Sequence, residues 1–204
     1  MEDVGDKQKL TNWLETGSVN IFGRPFSGKD TQARALSQLF NAPIIGGGDI
    51  IRNSGHKNMN DHINTGKLTP QKEYLDLVLP FLSKSDYRNL PLILSSLGRW
   101  HGEEESIMQA TQASGHTIKA VIYLDIDEDT VIKRWEVAKK LGDRGSRNDD
   151  NADSIKIRLN EFRNKTLPVL EFYKQRGLLI NINGNLPRDQ VSRAVSNALL
   201  QKAS

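Results

Sequence analysis

Residues 19–32 read VNIFGRPFSGKDTQ, and the rest of the chain is ordered around them. Val19, Ile21 and Phe22 make a short apolar strand. Residues 23–29, GRPFSGK, fit the spacing G-x-x-x-x-G-K, and from Thr31 the run TQARALSQLF reads as a helix. A glycine-rich turn between a strand and a helix N-terminus points several backbone N–H groups at one place. That is an anion site shaped for a phosphate chain. Lys29 is placed to reach the β- and γ-phosphates of such a chain. The general pattern puts Ser or Thr after Gly-Lys, where a hydroxyl ligates Mg2+; here Asp30 fills that place and Thr31 follows.

Strands and helices alternate outward from this turn. Residues 6–16 carry Leu10, Trp13 and Leu14 on one helical face. The helix after the turn runs to about Phe40 and breaks at Asn41-Ala42-Pro43. Ile44-Ile45 is a short second strand, followed by GGGDIIR (residues 46–52). Three glycines let a backbone approach a flat ligand closely, and Asp49 is expected to cap the helix that carries Arg52. Residues 53–66, with His56 and His62, read as polar surface elements. Thr69 and Pro70 are expected as the cap and first residue of a helix over residues 71–83, with Pro80 kinking it.

LPLIL (residues 90–94) is a buried strand whose exit, SSLGRWH, carries Arg99. In an open parallel sheet the carboxyl ends of the strands form the ligand crevice, so Arg99 sits where a functional residue belongs. A helix over 103–113, a strand over 118–126, a helix over 127–141 with Arg134, and a polar glycine-containing loop over 142–151 follow. Residues 152–176 read as one long helix bearing Arg158, kinked at Pro168. A last strand over 178–182 and an amphipathic helix over 187–200 complete the chain. This alternation argues for a parallel α/β sheet.

Composition excludes several classes. A chain of 204 residues can bury roughly 70% of its unfolded surface as a single domain. No apolar run approaches the roughly 20 residues of a membrane span, and the acidic, polar N-terminus does not read as a signal peptide. With no cysteine there is no disulfide and no cysteine-held zinc; a reducing cytoplasm is compatible. The 28 basic against 25 acidic residues are too balanced to argue for nucleic acid.

Taken in order, these motifs resemble the adenylate kinase family of nucleoside monophosphate kinases, short-lid type. GRPFSGKDTQ resembles its phosphate loop and GGGDIIR the opening of its monophosphate-binding lobe. GKLTP (residues 66–70) resembles the segment facing the monophosphate base. LILSSLGR is similar to a strand ending in D-G-F-P-R, SRNDDNADSIKIRL to the short-lid pattern G-R-x-D-D-N followed by R-L, and TLPVLEFY to the helix that continues it. The resemblance implies a three-layer P-loop NTPase fold with a five-stranded parallel sheet. It divides one domain, 1–204, into a core (17–46, 81–141, 153–204), a helical monophosphate lobe (about 47–80) and a lid (about 142–152).

The activity implied is transfer of the ATP γ-phosphoryl group to AMP or another nucleoside monophosphate, with Mg2+, by a cytoplasmic monomer acting on small nucleotides without nucleic acid or membrane. Gly23, Pro25, Ser27, Gly28, Lys29, Asp30, Thr31 and Arg134 would hold ATP. Gly47, Gly48, Arg52, Lys67, Leu68, Arg99 and either His101 or Glu103 would hold the acceptor. Lys29, Arg99, Arg134, Arg147 and Arg158 would surround the transferring group.

Three departures fall at the chemistry. Ser95 stands where the family has the aspartate that helps hold hydrated Mg2+, Ser96 and Gly98 replace a glycine and a proline beside it, and Asp30 replaces a glycine. Either Asp30 supplies the metal-directed carboxylate that Ser95 cannot, or its charge repels the phosphates. The family's second arginine after Arg134 falls on Ala138, with Lys139, Lys140 or Arg144 as substitutes. Direct counting puts the base reader at Glu103, and alignment on the following G-E-E puts it at His101. The alternative reading of the whole chain is a nucleotide-binding protein of this fold that has lost catalysis.

Overall fold

The computed structural model describes residues 4–141 and 151–204. Five strands, β1 (Ser18–Gly23), β2 (Ile44–Gly46), β3 (Leu92–Ser95), β4 (Ile118–Asp125) and β5 (Leu179–Asn183), form one sheet in the order β2-β3-β1-β4-β5, every pair parallel. β1 is central. From β1 the chain lays down β2 and β3 on one side and then crosses to lay down β4 and β5 on the other, so the winding reverses beside β1, where ligands bind in such sheets.

Side-chain alternation along the strands sorts the core into two layers. Phe22, Leu92, Leu94, Val121 and Tyr123 face one side. They pack beneath α3 (Gly47–Asn53), α4 (Lys57–Asn64), α5 (Gln71–Leu82), α6 (Glu103–Ala113) and α9 (Leu167–Gln175). Val19, Ile21, Ile93, Ala120, Ile122 and Leu124 face the other. There they pack beneath α1 (Val4–Leu14), α2 (Lys29–Phe40) and α10 (Arg188–Lys202). Helices on both faces of a buried parallel sheet give the near-continuous apolar strands seen in the sequence. A small third cluster joins Ile126 and Val131 of α7 (Glu128–Leu141) to Ile155 and Leu159 of α8 (Ala152–Glu161). None of the described helices is long and apolar enough to cross a membrane.

Several local expectations are corrected. Residues 57–64, expected as polar surface, form α4, anchored by buried Met59; one buried side chain in a polar run is too little periodicity to read as a helix. Asp49 does not cap α3. Gly46 is the N-cap, and the Asp49 carboxylate, inside the first turn, pairs with Arg52 at 2.7 Å. Pro70 is the N-cap of α5 rather than its first residue. The long helix over 152–176 is α8 and α9 joined by a π-turn at Phe162–Thr166. The turn lies immediately before Pro168, which lacks the N–H an α-helical ladder needs there. The N-terminal helix α1 buries Leu10 and Leu14 in the second core layer and packs on α10.

Candidate active site

β1 ends at Gly23, and only glycine fits there: a Cβ would lie 2.3 Å from Ser27 Oγ and 2.9 Å from the Leu124 carbonyl. The chain then doubles back through two left-handed residues, Phe26 (φ 61) and Gly28 (φ 92), before α2 begins at Lys29. Reversals of this kind make a concave nest of N–H groups at a helix N-terminus. A Phe in the left-handed region is strained, at a cost on the order of 1–3 kcal/mol. Its ring packs with the Ile126, Val131, Ile155 and Leu159 cluster, which offsets that cost and ties the turn to α7 and α8. Ser27 Oγ is buried and makes no hydrogen bond among the described residues; a buried hydroxyl in that state is poised for a ligand.

Lys29 Nζ donates to the carbonyls of Gly23 (2.9 Å) and Arg24 (3.2 Å). The neighbouring Arg24 turns away from the nest. It donates to Tyr123 Oη, Asp125 Oδ1 and the Ile126 carbonyl, bracing the loop on β4. Arg134 reaches the turn from α7, donating to the Phe26 carbonyl (3.2 Å) and the Gly184 carbonyl (2.8 Å). Burial, together with nearby Arg188, lowers its guanidinium from the ordinary arginine value.

The exit of β3 forms the facing wall. Buried Asn20 on β1 clamps it like an extra rung: its Nδ2 donates to the Leu97 carbonyl and its Oδ1 accepts the Leu97 N–H. The Ser96 N–H and Oγ both donate to the Ile21 carbonyl. The Gly98 N–H donates to Tyr74 Oη, and Thr166 Oγ to the Arg99 carbonyl. Arg99 therefore leaves a backbone held on four sides. Gly47 lies so close to Tyr74 that a Cβ would sit 2.6 Å from its hydroxyl, and Gly66 (φ 83) lies against the Ser154 carbonyl of α8. The Leu68 N–H donates to Glu161 Oε2 (3.0 Å), which holds the 66–69 turn against α8.

These walls enclose one cleft of about 1240 Å3. The structure brings into it Gly23, Pro25, Ser27, Gly28, Lys29, Asp30, Thr31 and Arg134 from one set of expected residues. Gly47, Gly48, Arg52, Lys67, Leu68, Arg99, Glu103 and Arg158 come from the others. His101 is not among its lining residues: its ring pairs with Glu104 Oε1 at 2.8 Å and is largely exposed. Glu103 lies in the wall, its Oε2 accepting the Trp100 N–H at 3.0 Å. Burial pushes its carboxyl up to about 7, against the lowering influence of the Trp100 N–H and Arg99. Arg147 and Arg144 lie outside the described residues. Of the positions near Arg134, Ala138 lines the cleft, while Lys139 sits over the Trp135 ring.

Sequence reasoning missed Phe26, Tyr74, Lys133 and Arg188, all lining the cleft. The left-handed turn needed at Phe26 gave no glycine to announce it. Tyr74 looked like part of an apolar helical face. Lys133 and Arg188 sit in ordinary charged helices. Nine lysines and arginines line the cleft against three carboxylates, Asp30, Asp49 and Glu103. That imbalance suits a polyanion, and guanidinium forks hold phosphates bidentately.

The family model for adenylate kinase matches residues 21–178. An adenylate kinase of Bartonella bacilliformis is 34% identical over 193 residues, covering 90% of this chain and 99% of its own length. One of Encephalitozoon cuniculi is 34% identical over 178 residues, covering 84% and 91%. One of Methanocella arvoryzae is 30% identical over 213 residues, covering 90% and 98%. With the reversed strand order, the glycine-rich turn at its centre and a basic cleft above it, this similarity along nearly the whole length establishes that the chain belongs to the adenylate kinase family.

Proposed function

We propose that the protein transfers the γ-phosphoryl group of ATP to a nucleoside monophosphate, with AMP as the first acceptor to test. The observation that carries this reading is that one cleft holds the β1–α2 phosphate turn and, facing it, Arg99 and Arg52. A chain that only binds nucleotide needs the first wall and not the second.

Phosphoryl transfer asks little covalent chemistry of a protein; it asks for alignment and for charge stabilisation. In this reading the nest at 23–28 and Lys29 hold the donor's phosphates. Arg52 and Arg99 fix the acceptor's phosphate so that one of its oxygens attacks the γ-phosphorus as the bond to the β-bridging oxygen breaks. Arg134 and Arg158 receive the charge that spreads onto the equatorial oxygens. Alignment of two bound reactants alone supplies about 7–11 kcal/mol of barrier lowering. The lobe of α3–α5 (about 47–80) carries the acceptor side, and the remainder (17–46, 81–141, 153–204) is the core. Because both walls come from one chain, we take the working unit to be a monomer, acting in the cytoplasm where both nucleotides are supplied.

Asp30, Thr31 and Ser95 bring a carboxylate and two hydroxyls to the same cleft, hard oxygen donors of the kind Mg2+ accepts, often through water. They are the residues that would hold the ion, which when bound neutralises phosphate charge. We infer that Asp30 takes the part that Ser95 cannot. Asp30→Gly is then expected to weaken Mg2+ binding to the ATP-loaded protein by about 10–100-fold, as loss of an outer-shell carboxylate does. Tighter ATP binding with activity intact in Asp30→Gly would show instead that the carboxylate only repels phosphate.

The function is tested by incubating the protein with Mg·ATP and each of AMP, CMP, UMP and GMP, and measuring the nucleoside diphosphate formed. Turnover with at least one acceptor is expected. ATP binding without turnover on any of the four would replace this reading with that of a nucleotide-binding protein without catalysis.

A further inference from the structure

Tyr74 carries a hydroxyl that the phosphate chemistry leaves idle. It stands on α5 and lines the cleft, yet it is only 7% exposed. Among the described residues its Oη makes one hydrogen bond, accepting the Gly98 N–H at 3.3 Å. That bond depends on a departure from the family pattern. Gly98 stands where the similar strand exit D-G-F-P-R has proline, and proline has no N–H to give. Gly98 also takes a left-handed conformation (φ 72) that proline cannot adopt. A second glycine makes room from the other side: a Cβ on Gly47 would lie 2.6 Å from Oη and 3.1 Å from Cε2 of the ring. The hydroxyl is thus seated between two glycine backbones, one fixing its oxygen and the other leaving space for it.

A phenol both donates and accepts. Here the oxygen accepts from Gly98. Burial, with the Glu103 carboxyl beside it, holds the hydroxyl well above the ordinary tyrosine range, so the proton stays on the oxygen. What remains is one O–H donor in a wall of the cleft, and buried donors are as a rule paired. The neighbours indicate which part of a nucleotide can pair it. Arg52 and Arg99 are given to the acceptor's phosphate in the reading above. Glu103, when ionised, repels a further anion beside Tyr74. An aromatic ring with a polar tip suits an uncharged, flat group better. We propose that Tyr74 donates a hydrogen bond to a lone pair on the acceptor's nucleoside and is a specificity-determining residue: a nucleoside without that lone pair leaves the buried O–H unpaired and is rejected. This rests on the nucleoside monophosphate kinase reading and adds to it a contact whose seat depends on this chain's own Gly98.

The test is equilibrium binding, without ATP, of whichever of AMP, GMP, CMP and UMP binds most tightly, and of its ring-deaza and deoxyribose forms, to the unmodified protein and to Tyr74→Phe. In the unmodified protein the analogue lacking the paired lone pair is expected to bind about 10–100-fold more weakly than its parent nucleotide, as follows from leaving a buried donor unsatisfied. In Tyr74→Phe the parent nucleotide should lose about 3–10-fold, and the gap to that analogue should shrink to about threefold or less. ATP binding should be unchanged, which shows that the variant is folded. The analogue whose gap closes names the atom, a base nitrogen or a ribose hydroxyl. A merely structural role for Tyr74 would weaken the parent nucleotide and every analogue by the same factor. Gaps that are equal in the two proteins for every analogue therefore overturn the proposal, and so does a parent nucleotide bound equally well by both. If the folded protein binds none of the four monophosphates, the kinase reading itself fails, an outcome distinct from binding with unchanged gaps.

Discussion

Lys29→Ala is expected to lower the rate of phosphoryl transfer by about 10³-fold or more while leaving the protein folded. Loss of one preorganised donor at a developing charge commonly costs 10²–10³-fold, and Lys29 carries a full charge. Its Nζ already rests on the loop's own Gly23 and Arg24 carbonyls at 2.9 and 3.2 Å, so the side chain is held in place before a nucleotide arrives. A factor of 10³ corresponds to about 4 kcal/mol of transition-state stabilisation. The fold should tolerate the change, because the loop is braced independently by Arg24 on β4 and by Phe26 in the α7–α8 cluster. Single-turnover kinetics beside a thermal melt separate the two effects. A variant within tenfold of the parent rate would remove Lys29 from the reaction.

The second large effect is expected at Arg158. Arg158→Ala should lower kcat by about 10³–10⁵-fold, the range for an arginine that meets the transferring phosphoryl group, with ATP affinity changed far less. The position is rigid for identifiable reasons. Asn151 caps α8, its Oδ1 accepting the Ser154 N–H at 2.9 Å. Ile155 and Leu159, on the flank of the helix beside the cleft-lining arginine, are buried against Ile126 and Val131. Arg158→Lys is expected to recover little, because an ammonium cannot hold two phosphate oxygens in a planar fork. Weakened ATP binding with kcat unchanged would mean instead that Arg158 serves ground-state binding alone.

Much of this site is legible in the chain, and the parts that are not share a physical cause. The phosphate turn could be read because its mechanism is local: strand, glycines, lysine and helix are contiguous within residues 19–32. Arg99 could be placed because strand ends in a parallel sheet face the ligand. The choice between His101 and Glu103 could not be made. The two are neighbours along the chain, and only the packing of α6 against α5 and the π-turn buries one in the wall and leaves the other outside. Tyr74, Lys133 and Arg188 enter the cleft through tertiary placement, which no periodicity announces. α4 was missed because its single buried residue, Met59, leaves a helix almost wholly polar.

Asn20 and the β1–β3 ladder carry a consequence for catalysis. Ile21 stands level with Ser95 on the adjacent parallel strand, and neighbouring strands lie about 4.8 Å apart. In the proposed reading the donor's turn leaves one strand and the acceptor's arginine leaves the next, so the sheet would act as a ruler between the two reacting phosphates. In that reading the helical lobe of α3–α5 supplies acceptor contacts but does not set that spacing. Substitutions in α3–α5 should therefore appear mainly in KM, and those that loosen the Asn20–Leu97 clamp mainly in kcat.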